Sequence, residues 1–237
     1  MANRDASSSG ASYPELLSLA VHELRTPASV VGGYLRMLQR DSESPLNVRQ
    51  QKMVDEADKA CARIVAIVGE LSDLAKLDTG TVPLKDDSFD LFAALTEVAT
   101  AMHEAEGGVH LLIRGEAAGA PLRADLGRVR AAFSAFVRAV VREQSSGRPV
   151  VLDRRLVRAD DRTSALTIIA PDGRVQQAYD ASPAAFDEKR GGLGLALPIA
   201  RRVVERYGGR VWSPRLETEA SAAGNRTAII VSFPLAG

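Results

Sequence analysis

Two runs of apolar residues, spaced by threes and fours and separated by a short breaker, constrain this chain more than anything else in it. Leu17, Ala20, Leu24, Ala28, Val31, Leu35 and Leu38 make the first run; Met53, Ala57, Ala60, Ile64, Ile67, Leu71 and Leu74 make the second. At about 100° per residue each run falls on one stripe of a helix. Tyr13-Pro14 predicts the start of the first helix, because a proline in the first turn forfeits no hydrogen bond. Asp41-Ser42-Glu43-Ser44-Pro45 predicts its end, and Asp78-Thr79-Gly80 stops the second helix. Helices joined so briefly form an antiparallel hairpin. One hairpin cannot bury both stripes, so two hairpins about a two-fold axis, a four-helix bundle, are the expected assembly. Packing of the stripes on the chain's own C-terminal half is the alternative.

From Val82 onward the period changes. Short β-branched runs predict strands over 109–113, 150–157, 166–169 and 228–233, alternating with helices over 91–104, 125–144 and 193–207. Gly107-Gly108, Gly115, Asp172-Gly173 and Gly208-Gly209 punctuate them. That order predicts an α/β sandwich with helices on one face of a mixed sheet. The expected organisation is a disordered tail over 1–12, a helical hairpin over 13–80 and an α/β domain over 81–237.

Composition excludes several classes of partner. Lys and Arg total 30 and Asp and Glu total 30, so the net charge is zero and no global field draws in nucleic acid or an anionic bilayer. Cys61 is the single cysteine, which rules out an intrachain disulfide framework and a zinc cluster and points to a reducing compartment. Residues 1–12 lack the basic flank and apolar run of a leader, and no run reaches the roughly 18 apolar residues of a membrane span. A cytoplasmic location is expected.

Chemistry concentrates at Ala20-Val21-His22-Glu23-Leu24-Arg25-Thr26-Pro27. Helical phase turns His22 away from the apolar stripe, and Thr26, one turn later, shares its face. An imidazole nitrogen is nucleophilic only when neutral and correctly tautomeric, and Glu23 is placed to hold or take up the other ring proton. The Thr26 hydroxyl is placed to orient a water, while Pro27 frees a backbone carbonyl one turn back. This octapeptide resembles the H-box of the two-component histidine kinases. The resemblance implies that His22 is the phospho-acceptor, that Glu23 assists transfer, and that Thr26 serves in dephosphorylating a partner response regulator. His103 and His110 sit in ordinary helix and strand contexts.

The second half is similar to the ATP-binding domain of the same family, whose fold is shared with gyrase, Hsp90 and MutL-type ATPases. Leu77-Asp78-Thr79-Gly80 with Phe89-Asp90-Leu91, then Asp125-Leu126-Gly127-Arg128, then Gly191-Gly192-Leu193-Gly194-Leu195-Ala196-Leu197 with Gly208-Gly209-Arg210-Val211 follow the family's order. In such a box the bare backbone at Gly192 and Gly194 lets phosphates approach amide N–H groups at a helix start. Arg142 matches a basic residue of the site, and with Arg138 and Arg190 it reads either as an anion-attracting set or as a solvated basic helix face. The resemblance implies ATP with Mg²⁺ as cofactor, but the pattern departs from the family's. Ala139 stands where the family has a metal-holding Asn, and Ala170-Pro171-Asp172-Gly173-Arg174 stands where it has an adenine-binding D-x-G-x-G. The lid after Phe186 is reduced to Asp187-Glu188-Lys189-Arg190, with Arg190 at the first glycine of the box. Three readings follow: a dimeric phosphotransfer protein exchanging phosphate through His22 with a response-regulator receiver domain, an active ATP-dependent autokinase, and a non-catalytic scaffold for regulators.

Overall fold

The computed structural model describes residues 13–83, 85–105, 110–144, 148–159, 161–215 and 227–235. The expected tail, Gly107-Gly108 and Val109 lie outside them. The chain divides into two compact units, Met1–Val82 and Pro83–Gly237.

The first unit is a hairpin of α1 (Tyr13–Arg40) and α2 (Val48–Thr79). Asn47 opens α2 through a reciprocal capping box: its side chain accepts from Gln50 N at 2.9 Å, and the Gln50 side chain accepts from Asn47 N at 3.0 Å. Gly80 closes α2 with φ 69°, a left-handed cap that glycine adopts without strain. The seam between the helices is narrow. On α1 it buries Val21, Ala28 and Gly32, and on α2 Cys61, Val68 and Ala75. Small residues permit the close approach, and the Cys61 thiol donates to Ala28 O at 3.0 Å. Gln39 donates to Asp55 across the hairpin near its connecting loop at 2.9 Å.

This seam differs from the stripes that periodicity selected. Only Ala28 of those residues is fully buried in it, whereas Leu24 is 50%, Val31 53% and Ile64 51% exposed. The reason is geometric. Ala28 and Leu35 fall on the seam heptads 21/28/35 and 54/61/68/75, but the other predicted residues sit three positions on or one position back, about 60–100° round each helix. Both helices therefore carry two adjacent apolar faces, one spent on the hairpin and one open.

The second unit is an α/β sandwich. Its six-stranded mixed sheet has the order β2-β4-β5-β8-β7-β6, from β2 (Leu111–Gly115), β4 (Val150–Ala159), β5 (Arg162–Pro171), β6 (Pro183–Ala184), β7 (Arg210–Pro214) and β8 (Ile229–Pro234). β2 and β4 are parallel and the other pairs antiparallel. A separate ladder joins β1 (Asp87–Asp90) to β3 (Pro121–Ala124). α3 (Leu91–Ala105), α4 (Leu126–Glu143) and α6 (Ala196–Arg206) form the helical layer. A short α5 (Val175–Asp180) covers the opposite face, its Val175 and Ala178 packed with Leu166, Ile168 and Ala170. The alternation of β5 explains the two-sided burial, since neighbouring residues point to opposite faces and both faces are covered. Sequence periodicity does not read β1, β3, β6, β7 or α5, whose few residues lack a β-branched run or a full amphipathic turn pattern.

Asp90 ties this unit together at the start of α3. It accepts from Phe92 N at 2.9 Å and Ala93 N at 3.1 Å, and from Gly119 N and Ala120 N at 2.6 and 3.0 Å. Burial alone would raise its pKa, but the four N–H donors outweigh it and hold the carboxyl below its ordinary value. A depressed carboxyl contributes stability that is fully present above its unfolded pKa, near 4, and is lost as the pH falls from there through the lowered folded value. Asp90→Asn is expected to cost about 1–3 kcal/mol at pH 7, with the gap from wild type closing below about pH 4. Urea melts at several pH values read this directly, and a gap constant from pH 3 to 7 contradicts it.

Candidate functional site

Helical phase explains why His22 is available. Val21 is buried in the hairpin seam, and the next side chain, about 100° further round, points outward. The His22 side chain is 78% exposed and that of Glu23 73%. Arg25 and Thr26 are exposed as well. His22 Nδ1 lies 3.6 Å from Glu23 Oε1, beyond a hydrogen bond but within reach of an ion pair once the ring is protonated. With Nδ1 turned toward Glu23, Nε2 is the ring nitrogen that Glu23 does not face. α1 runs unbroken through Pro27, whose missing N–H leaves the Glu23 carbonyl without its usual helical partner. His22, Glu23 and Thr26 thus lie together on one exposed stretch of helix.

The glycine segment is arranged differently from a phosphate cradle. Asp125 caps α4 by accepting from Arg128 N at 3.0 Å, and its own N–H donates to the Tyr207 hydroxyl at 2.9 Å. α4 then carries Phe133 and Phe136, and Phe136 meets Phe186 edge to face at 5.8 Å between ring centres. The same helix presents Ala139, which is fully buried. Directly on it sits Gly191, in a 3₁₀ turn over Arg190–Gly192 with φ 65°. A Cβ at Gly191 would lie 2.9 Å from Ala139 Cα, so the backbones are already in contact.

One turn beyond Ala139, Glu143 reaches the same segment. Its carboxylate accepts from Gly191 N at 3.1 Å and from Arg190 Nε at 3.1 Å. The Arg190 side chain is 0% exposed and also donates to Ala228 O at 2.9 Å. Burial pushes the Glu143 carboxyl up from its ordinary value, and Arg190 with the Gly191 N–H pulls it back toward the charged form. Arg190, read from sequence as one of three anion-attracting arginines, is therefore committed inside the protein. A buried guanidinium demands such a partner, and that demand is the signal that would have found Glu143.

The remaining predicted residues are separate. Arg142 Nη1 lies 3.4 Å from both Gly191 O and Gly192 O, so the backbone offers it carbonyls there. Gly192 and Gly194 are exposed, with φ 60° and 62°. Arg138 lines a surface groove with Glu97, Met102 and Arg130 on the α3 side of α4. Asp172, in the turn after β5, makes a paired contact with Arg114, at 2.8 and 3.0 Å, which holds its carboxyl below the ordinary range. Ala170 is buried beneath it. The four lid residues make a turn in which Glu188 is held by Arg201 at 3.2 Å and Arg202 at 3.4 Å.

These residues do not fit a metal-bound triphosphate as the family's do. Ala139 supplies no ligand atom, backbone fills the space against it, and the Gly191 amide is already engaged. Among the described residues no group of three His, Cys, Asp or Glu side chains is placed to hold a metal ion. No helix among them is long and apolar enough to cross a membrane.

Comparison with known proteins places this architecture. Residues 15–80 match the His Kinase A (phospho-acceptor) domain. The chain is 22% identical over 214 residues to the alginate biosynthesis sensor protein KinB of Pseudomonas aeruginosa, covering 83% of this chain and 34% of that protein. It is 25% identical over 224 residues to the sensor protein GacS of Pseudomonas syringae pv. syringae, covering 89% of this chain and 24% of GacS. The chain thus spans about a third of the length of one of these curated relatives and about a quarter of the other. In fold it resembles full-length ShkA, solved in complex with AMPPNP, with a TM-score of 0.61 at 21% identity over 94% of this chain and 45% of ShkA. With a hairpin that matches the His Kinase A (phospho-acceptor) domain followed by an α/β sandwich, the chain is similar in sequence and in fold to the sensor histidine kinases of two-component signalling.

Proposed function

We propose that this chain is a homodimeric histidine phosphotransfer protein whose phosphoryl donor and acceptor are both response-regulator receiver domains. A neutral His22 attacks the phosphorus of an aspartyl phosphate, an N–P bond forms as the acyl O–P bond breaks, and the aspartate leaves as carboxylate. Return to a second receiver reverses the step. Glu23 holds the ring proton during transfer, and Thr26 orients water when phosphate is discharged instead. Cytoplasm is the compartment, where Cys61 stays reduced.

The observation that carries the choice of donor is the seating of Gly191 on Ala139, with the Gly191 N–H bound to Glu143. A triphosphate needs that backbone, and Mg²⁺ needs an oxygen ligand. The open stripe of Leu24, Val31, Leu38, Met53 and Ile64 supports the dimer, because it runs along both helices within about 60–100° of the seam. The autokinase reading retains one supporting observation, the intact Asp125 cap that opens α4.

Two labelling reactions on the purified chain test the proposal. Incubation with γ-labelled ATP and Mg²⁺ is expected to leave His22 unlabelled, and a panel of receiver domains carrying labelled aspartyl phosphate is expected to label it. Acid-labile label from ATP establishes the autokinase instead. If no receiver donates label or loses it faster in the protein's presence, the scaffold reading stands.

A further inference from the structure

Glu143 ends α4 and faces inward onto the glycine segment. Its carboxylate meets the Gly191 N–H at 3.1 Å and the buried Arg190 guanidinium through both Nε, at 3.1 Å, and Nη2. Arg190 is anchored in turn by Ala228 O at 2.9 Å and Ser213 Oγ at 3.3 Å, on β8's lead-in and on β7. One carboxylate therefore joins the helical layer to the glycine segment and, through Arg190, to the sheet edge behind it. Three backbone positions in this segment, Gly191, Gly192 and Gly194, have positive φ. Such a segment has few side-chain contacts of its own to hold it, and a charge-assisted pair at its first residue is the strongest restraint available to it.

We propose that Glu143 is the resident anion of the glycine segment: its carboxylate occupies the position an external anion would take between Arg190 and the Gly191 amide, and so latches the segment shut on Ala139. The proposal deepens the reading that ATP is not the donor, and it rests on that reading only for its biological sense. Its physical content is separate. An anion site filled from within the chain predicts that removing the carboxylate creates a vacancy matched to a small carboxylate. The buried Arg190 charge and the freed Gly191 N–H would line that vacancy.

Amide hydrogen exchange on the full chain tests this with Glu143→Ala. Exchange over 187–196 is expected to rise at least tenfold, while amides of 133–137 and 164–169 stay as slow as in wild type. Sodium formate, which supplies the missing carboxylate, is expected to restore protection in Glu143→Ala and to leave wild type unchanged. Sodium chloride at equal ionic strength is expected to restore nothing. An unchanged rate over 187–196 overturns the latch, and faster exchange that formate does not reverse overturns the resident-anion assignment. If Glu143→Ala speeds every amide together, Glu143→Gln, which keeps the volume and one acceptor oxygen, decides by the same comparison of 187–196 with the core. Mg-ATP added to wild type reports on the donor reading alone: protection of 187–196 by nucleotide removes that reading, whereas the formate experiment still decides the latch.

Discussion

His22→Ala is expected to abolish phosphoryl uptake from every receiver domain that labels the wild-type chain. The proposed function puts the phosphoryl group on one ring nitrogen, so the expected loss is complete; neither His103 nor His110 lies on the helix that carries Glu23 and Thr26. α1 is unaffected: the side chain is 78% exposed, so its removal leaves the seam of Val21, Ala28 and Gly32 intact and the melting temperature unchanged. The neighbours separate by role. Glu23→Gln keeps the acceptor but loses the proton partner, and uptake is expected to slow about 10²–10⁴-fold. Thr26→Ala is expected to take up label at the wild-type rate and to lose it to water more slowly. Quenched-flow measurement of acid-labile label distinguishes these, and uptake surviving in His22→Ala refutes the assignment.

The second large effect lies on the open stripe of the hairpin. Leu24→Glu and Ile64→Glu place charges where two hairpins are expected to pack, at positions half-exposed in the single chain. Two-fold symmetry makes each substitution act twice in the assembly. Losing about 2 kcal/mol of apolar burial per site gives roughly 4 kcal/mol per dimer, about a thousandfold in dissociation constant. Sedimentation equilibrium is expected to show wild type as a dimer at micromolar concentration and both variants as monomers. Helix content should persist, since Val21, Cys61 and Val68 lie on the inner seam. A wild-type monomer at that concentration overturns the bundle.

The positions of α1 and α2 were legible because long amphipathic periods and explicit stop signals act within one helix turn of the residues that encode them. Tyr13, Arg40 and Thr79 fall where Tyr13-Pro14, Asp41 to Pro45 and Gly80 place the ends. The strands β4, β5 and β8 were legible for a similar reason, being runs of β-branched residues bounded by glycine or polar breaks. What periodicity misjudged was the hairpin seam. Both apolar faces of each helix have the same period, and the phase that meets the partner depends on where small residues such as Ala28, Gly32 and Cys61 let two backbones close.

The two candidate sites divide along the same line. His22, Glu23 and Thr26 are neighbours in sequence on one helix, so helical geometry alone brings them together and the sequence determined their grouping. Glu143, Arg190 and Gly191 come from a helix end and a loop separated by 47 and 48 residues. No local rule pairs them. Only the packing of α4 against the 190–192 turn decided that Arg190 is buried, that Gly191 rests on Ala139, and that the charge which looked available for a ligand is answered by the chain's own carboxylate. The physical reason is that a buried guanidinium must be neutralised nearby, and which carboxylate does so is a property of the assembled core rather than of any segment of the chain.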